Sequence, residues 1–329
     1  MKLALIVNTR QSDTEFEVEF DPPHTIEMMK KGIETAGFDY LFIEGNEQVT
    51  ENLKQYKPDL VFNRTEGLHG ESREAQIPAV LEMLQIPYVG SGIKTLAVCL
   101  DKAWTKTFVG ANGVNTPAYK TISSLEQAKQ YEPQFPVILK PNEEGSSIGI
   151  NSDNVVFDRA TFEDKIKEML NTYNQQILVE GFISGREISV GVIVHSPNNI
   201  EVFPLLEVDF SKMPESVSGV FGQIAKTTYD DLDHYLCPAP LSEELESAII
   251  EQTKKVCQSL DIREFARLDF RIDEKGIPWF LEINPLPGMD FNLEEKDFSF
   301  YTLMAFKAGY TYDSLMHRLI QSACRRVGL

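Results

Sequence analysis

The sequence predicts an α/β fold made of more than one packed unit, and three observations carry that prediction. Short apolar strands alternate with amphipathic helices along the first third of the chain, as in an open α/β sheet. The middle and C-terminal parts hold strand pairs joined by short polar turns, the pattern of antiparallel sheet. The chain has 329 residues, 42% hydrophobic and 25% charged, too many for one small core.

KLALIVN, Lys2–Asn8, reads as a buried strand. In DPPHTIEMMKKGIETAG, Asp21 is placed to cap a helix and prolines suit its first turn. Ile26, Met29, Ile33 and Ala36 then recur at helical spacing. Gly37 ends this helix, and DYLFIEG returns as a strand. Lys57–Asn63 is another buried strand, and the helix REAQIPAVLEMLQ leads into IPYVGSG. These elements define a first unit at residues 1–95. From Thr95 a helix, TLAVCLDKAWTKTFVGANG, leads to VNTPAYKTI, a second helix SSLEQAKQYE, and the strand FPVILKP. RATFEDKIKEMLNTYN is an amphipathic helix and QQILVEGF a strand, which closes a second unit at residues 96–183. In the third unit, residues 184–329, REISVGVIV and IEVFPLLEVDF form a hairpin around HSPNN. The long polar stretch at residues 211–236 reads as a mobile lid rather than a core element. The helix LSEELESAIIEQTKKVCQSL precedes ARLDFRIDEKGIPWFLEINP, two strands about a turn, and TYDSLMHRLIQSACRRVGL is a closing helix.

The formal net charge is −19, and lysine and arginine nowhere cluster, so nucleic acid is a poor partner. An anionic substrate would need local cations or metal ions. Cys99, Cys237, Cys257 and Cys324 lie far apart with no C-x-x-C pair, which argues against a disulfide framework and a zinc site. MKLALIVNTR is too short an apolar run for a signal peptide, and no apolar stretch of membrane-spanning length follows. A soluble, cytoplasmic protein without a membrane partner is expected.

Three segments carry candidate chemistry. In ILKPNEEGSSIGI, Lys140 ends a strand, and two glycines surround Ser146 and Ser147. The order is not that of a P-loop, yet such a turn can aim backbone N–H groups at an anion. A plain turn and a phosphate loop both remain open on these residues alone. In ARLDFRIDEKGIPWFLEINP, Arg267 and Asp269 share one strand face, and Glu282 and Asn284 share another. An even loop centred on Glu274–Lys275 would set Arg267 opposite Glu282 and project all four the same way; an odd loop or a bulge would break that. Asp269, Glu282 and Asn284 offer only hard oxygen ligands, suited to Mg²⁺, while a solvated polar face with Arg267 as counter-ion is the alternative. In ILVEGFISGREISV, Glu180 ends one strand and Glu187 begins the next, with Phe182 and Ile183 between them able to pack on a base. An ordinary strand crossing accounts for that segment equally well.

Taken in chain order, LDK, ILKPNEEGSSIGI, ILVEGFISGREISV, AKTTYDDLDHYLCPAPL, RLDFRID and FLEINPLPGM resemble the ATP-grasp superfamily, and specifically the D-alanine–D-alanine ligase family. PDLVFNRTEGLHG and LEMLQIPYVGSG fit its N-terminal part less tightly. The resemblance spans nearly the whole chain. It implies a three-domain ATP-grasp fold with an N-terminal Rossmann-like open sheet, and ATP held between two antiparallel sheets. It further implies that Lys102 and Lys140 contact the nucleotide and that Ser146 and Ser147 close over its phosphates. Glu180, Phe182, Ile183 and Leu281 would line the adenine pocket, Glu187 would bind the ribose, and Lys226 would reach the phosphates from the lid. Two Mg²⁺ ions, replaceable by Mn²⁺, would sit on Asp269, Glu282 and Asn284. Arg267 would stabilise the reacting phosphate, Gly288 would assist at the tetrahedral oxygen, and Glu15 is carried over from the family's N-terminal glutamate. The implied reaction makes an acyl phosphate and ADP from a carboxylate and ATP, then an amide from an amine. Its substrates would be small amino-acid or peptide-like molecules, in peptidoglycan or small-peptide biosynthesis, and its assembly a homodimer.

The chain also departs from the family. Thr227 follows Lys226 where a tyrosine is common, and Glu19 replaces a serine in the N-terminal motif. Asp290 follows NPLPGM, and Leu293–Glu294 stand where a Ser–Leu pair holds the carboxylate of the second amino acid. At about 4 Å and an effective dielectric near 20, one unpaired like-charge contact costs about 4 kcal/mol. Asp290 and Glu294 would therefore repel a second D-alanine and could hold an amine instead. Arg64 and Arg73, near the N-terminal pocket, are candidates for a donor carboxylate or other anion. The expectation is a ligase with a changed acceptor; an ATP-binding regulatory protein without turnover, or a kinase of the same fold, are the alternatives.

Overall fold

The structure is a computed structural model that describes residues 1–12, 14, 17–214, 219–229, 231–292 and 297–329, without the side chains of Ile224, Thr227 and Asp297. Strands β1 (Lys2–Val7), β2 (Asp39–Glu44), β3 (Leu60–Arg64) and β4 (Tyr88–Val89) form a parallel sheet in the order β2-β1-β3-β4. β3 is buried throughout and β1 after its first residue, which is why both read as unbroken apolar runs. Helices α1 (Pro23–Thr35), α2 (Val49–Tyr56) and α3 (Gln76–Met83) make the connections. The sequence did not announce α2, because Val49 and Leu53 are its only buried residues and one such pair sets no period. Asp21 does not cap α1: Pro22 occupies that position, and the Asp21 carboxylate accepts instead from Arg64 Nη2 at 3.2 Å.

The helix expected from Thr95 is two, α4 (Ile93–Leu100) and α5 (Lys102–Ala111). Asp101 is extended between them and accepts from the Trp104 N–H at 2.8 Å, so one residue ends the first helix and caps the second. Next come β5 (Tyr119–Ile122), α6 (Leu125–Gln130), β6 (Val137–Pro141), β7 (Val155–Val156), α7 (Arg159–Tyr173) and β8 (Ile177–Gly181). Their strands make an antiparallel sheet in the order β5-β8-β6-β7.

A second antiparallel sheet is built on β9 (Arg186–Ser196), which pairs with both β10 (Asn199–Val202) and β11 (Leu206–Val208). Pro204 lacks a donor and splits what the sequence suggested was one strand. After α8 (Gln223–Thr228), β12 (Tyr235–Leu236) and α9 (Glu243–Ser259) come β13 (Glu264–Ile272) and β14 (Pro278–Asn284), giving the order β12-β11-β9-β13-β14. The chain ends in β15 (Phe291–Asn292), β16 (Asp297–Phe298), α10 (Phe300–Lys307) and α11 (Tyr312–Val327). α11 packs on α1, so Met29, Ile33, Met316 and Leu319 share one apolar cluster with Leu5 and Phe265. No helix among the described residues is long and apolar enough to cross a membrane.

The described part of residues 211–236 is packed rather than free of the core. Phe221 stacks on Phe300, with ring centroids 5.3 Å apart, and Tyr235 meets both rings edge-on. Phe221, Ala225 and Tyr235 are apolar residues set in a polar run, and each is buried. Composition over the whole stretch concealed them.

Candidate active site

β13 and β14 place the acidic set through two departures from a plain hairpin. Ile272 pairs with Pro278, so the loop is residues 273–277, an odd number, and alone it would turn Glu282 and Asn284 away from Arg267. Leu281 is then a bulge: Phe270 pairs with Phe280, but Asp269 with Glu282 and Arg267 with Asn284. The two departures cancel. All four side chains return to one face, although Arg267 lies opposite Asn284 and not Glu282 as an even loop would have it.

Two cavities meet at this face. One lies between the antiparallel sheets, with Lys140, Ser147, Glu180, Phe182, Ile183, Glu187, Leu281 and Glu282 in its walls. The other opens toward the N-terminal sheet and is walled by Ser146, Asn284, Gly288 and Asp290. Lys226, Arg267, Phe221 and Phe300 line both. Lys102 sits beside their junction with Ser146, Glu282 and Asn284. Arg64 lines the second cavity as well, whereas Arg73 lies outside both and their junction; Glu15, Glu294 and the Thr227 side chain lie outside the described residues.

Several of these side chains are already engaged. The Glu180 carboxylate lies between Lys106 at 2.7 Å and Lys140 at 3.2 Å. Burial would raise its pKa, but the two ammonium groups outweigh that and hold it below the ordinary carboxylate range. Lys106 also donates to the Leu281 carbonyl at 2.7 Å, which fixes the bulge. Arg271 donates to Glu187 at 2.7 Å and to the Ile183 carbonyl at 3.0 Å, and its guanidinium stacks over Phe182 at 5.2 Å. Sequence reasoning passed over Lys106 and Arg271. Lys106 is one helical turn after Lys102, and Arg271 shares strand parity with Asp269, so both signals were present.

Arg267 grips Asp269, with Nη2 to Oδ2 at 2.9 Å, and Ser189 donates to Asp269 Oδ1 at 2.6 Å. Burial would raise Glu282, but Lys102, Lys140, Arg267 and Lys226 outweigh it and hold the group at about 2. Its closest ion pair, to Lys102, is 3.7 Å. Asn284 Oδ1 accepts the Leu286 N–H at 2.8 Å and keeps a second lone pair. Two carboxylates and an amide are a hard-oxygen set that fits Mg²⁺. Among the described residues no three acidic, cysteine or histidine side chains could hold a metal by themselves. A magnesium ion here would depend on phosphate oxygens for the rest of its shell, its usual habit.

The glycine–serine loop is strained and tied down. Ser146 and Ser147 take φ of +47° and +61°, a region that non-glycine residues keep only where their surroundings insist. Gly145 faces Glu19, whose carboxylate would lie 2.0 Å from any Cβ there. Arg73 joins the two: it donates to Glu19 at 3.0 Å, to the Glu143 carbonyl at 2.9 Å and to Glu144 at 3.4 Å. Its guanidinium is committed to holding the loop and does not point at a donor carboxylate. Beside it, Glu74 is buried with Oε2 unpartnered among the described residues, and burial together with Glu19 raises its pKa to about 8.

An acid whose folded pKa lies above its unfolded value of about 4.5 destabilises the fold progressively as pH rises from there to about 8. Glu74→Gln should therefore melt higher than wild type, by a margin that widens from pH 5 to pH 8. Melting curves at the two pH values check this, and an equal margin at both would contradict it.

Comparison with known proteins completes the description. The family described as D-ala D-ala ligase C-terminus matches residues 108–321. The D-alanine–D-alanine ligase of Carboxydothermus hydrogenoformans is 30% identical over 330 residues, covering 97% of each chain. An uncharacterized protein of Sinorhizobium fredii is 30% identical over 302 residues, covering 89% of this chain and 85% of that one. Among solved structures, the D-alanine–D-alanine ligase of Bacillus anthracis complexed with ATP superposes with a TM-score of 0.72 at 21% identity, covering 99% and 98%. The VanG D-Ala:D-Ser ligase of Enterococcus faecalis gives 0.73 at 22%, covering 98% and 99%. The architecture is the ATP-grasp fold. The chain belongs to the D-alanine–D-alanine ligase family and is an ATP-dependent ligase that forms C–N bonds.

Proposed function

We propose that this ligase activates a carboxylate donor as its acyl phosphate and joins it to an amine other than D-alanine. The observation that carries this is the contrast between the two cavities. Around Glu282 stand Lys102, Lys140, Lys226 and Arg267, a cationic wall suited to a polyphosphate. At the far end of the second cavity Asp21 and Asp290 stand with Arg64 and Arg10, and Asp290 turns a carboxylate oxygen toward Gly288, where it would repel an acceptor carboxylate.

In this reading the chain works as three units, 1–95, 96–183 and 184–329. Phe182, Ile183 and Leu281 line the base end of the cleft, Lys140 and Glu180 its floor, and Glu187 the ribose side. Asp269, Glu282 and Asn284 would hold Mg²⁺, two ions with Mn²⁺ as a substitute, and the metal would neutralise charge on the phosphates. Arg267 and Lys226 face the transferring phosphoryl group; burial and Arg267 lower the Lys226 pKa, and a bound anion would push it back up. Ser146, Ser147 and the lid exclude water that would hydrolyse the acyl phosphate. Ser147 Oγ donates to the Phe221 carbonyl at 3.4 Å, and the Gln223 N–H to Ile150 O at 2.8 Å, contacts that support closure of loop on lid. The Gly288 N–H serves the tetrahedral oxygen. A cytoplasmic homodimer completes the reading, and light scattering checks its assembly.

Matched release of ADP and inorganic phosphate, with an amide in the mass spectrum, is the expected result with donor and acceptor panels. ADP without inorganic phosphate would mean transfer to a hydroxyl. Arg73→Met should raise KM for ATP about tenfold and change kcat less, because it loosens the loop rather than the reacting groups. Steady-state kinetics at varied ATP check this; an unchanged KM would mean the loop holds without Arg73.

A further inference from the structure

The inner end of the second cavity is unusually short of partners. Asp21 and Arg64 line it and are only 3% and 2% exposed. Among the described residues Asp21 Oδ2 and Arg64 Nε and Nη1 have no hydrogen-bond partner, and neither has the buried Tyr312 hydroxyl, which feels both Asp21 and Asp290. Buried polar atoms left unmatched in one place point to a polar occupant. Asp21, Glu66 and Asp290 all act on the Arg64 guanidinium, whose side-chain bond among the described residues goes to Asp21 at 3.2 Å; Arg10 lines the same cavity and acts on Asp21, but its guanidinium is tied to the Glu17 and Val18 carbonyls. Asp290 Oδ1 accepts from Thr25 at 2.6 Å, while Oδ2 turns toward Gly288, about where the new amide forms. Burial, with Glu19 and Glu74 nearby, raises Glu66 well above the ordinary carboxylate range and favours its neutral form. With Glu66 neutral, Asp21 and Asp290 remain as the pair of carboxylates that an added ammonium would meet.

Resting on the ligase reading above, we propose that the acceptor is an amine carrying a second, non-reacting ammonium, and that this ammonium is held between Asp21 and Asp290. The substrate class is a diamine or an amine-rich molecule without a carboxylate at that end.

The test is calorimetric titration of the full chain, with Mg²⁺ and a non-hydrolysable ATP analogue, against 1,4-diaminobutane, butylamine and D-alanine. The diamine should bind at least about tenfold more tightly than butylamine or D-alanine. Asp290→Asn keeps the acceptor for Thr25 but removes the charge, and should erase the difference; Asp290→Ser is the second variant should the first fail to fold. Equal affinities for the two amines, tighter binding of D-alanine, or a difference that survives both variants would overturn the proposal. Failure to bind the ATP analogue would instead bring down the ligase reading, and this inference with it.

Discussion

Arg267→Met is expected to lower kcat by about 10³-fold, the scale of losing a preorganised cation from a phosphoryl-transfer site. The guanidinium lines both cavities where they join, and in the proposed reading that sets it before both the phosphate tail and the place where donor and acceptor meet. Asp269 and the paired strands fix it, and it reaches the reaction without reorganising. In the proposed reading it acts on charge that develops in the transition state, so KM for ATP should change by much less than kcat. Steady-state kinetics beside ATP-analogue titration separate the two. A kcat within about threefold of wild type would remove Arg267 from the chemistry.

Glu180→Ala is expected to cost about 3–5 kcal/mol of stability, because it leaves two buried ammonium groups without their shared carboxylate. The Glu180 side chain is 1% exposed, and Lys106 and Lys140 are 1% and 8% exposed, so both ammonium groups are poorly hydrated without it. The damage should spread to the nucleotide cleft, since Lys106 also fixes the Leu281 bulge that turns Glu282 and Asn284 into line. Denaturant unfolding of wild type and variant checks the first expectation, and ATP-analogue affinity the second. A variant as stable as wild type would mean the lysines lose their charge without penalty.

How much of this was legible in the sequence follows from what each signal reports. Parity along RLDFRID and FLEINP showed that Arg267, Asp269, Glu282 and Asn284 could share a face. It could not show which residues pair, and the odd loop and the Leu281 bulge are invisible to alternation. GSS alone is equally a turn, and only the company of other motifs pointed to a phosphate loop. Ion pairs distant in the chain were opaque. Arg73 was misread as a ligand for substrate because nothing local links it to Glu19 and Glu144. Asp21 was misread as a helix cap because position favours that use, while Arg64 claims it in space. Helix α2 was missed for want of a repeating apolar face, and the lid's packing because Phe221 and Tyr235 are isolated in polar sequence.

The central claim is that an ATP-using half is retained while the acceptor end has changed, and one measurement bears on it most directly. It is the rate of D-alanyl-D-alanine formation from D-alanine alone, with ATP and Mg²⁺, followed by mass spectrometry. With Asp290 beside Gly288, the account predicts little or no dipeptide at sub-millimolar D-alanine, and ADP release that rises when a suitable second amine is supplied. Rapid dipeptide formation from D-alanine alone at that concentration would contradict it.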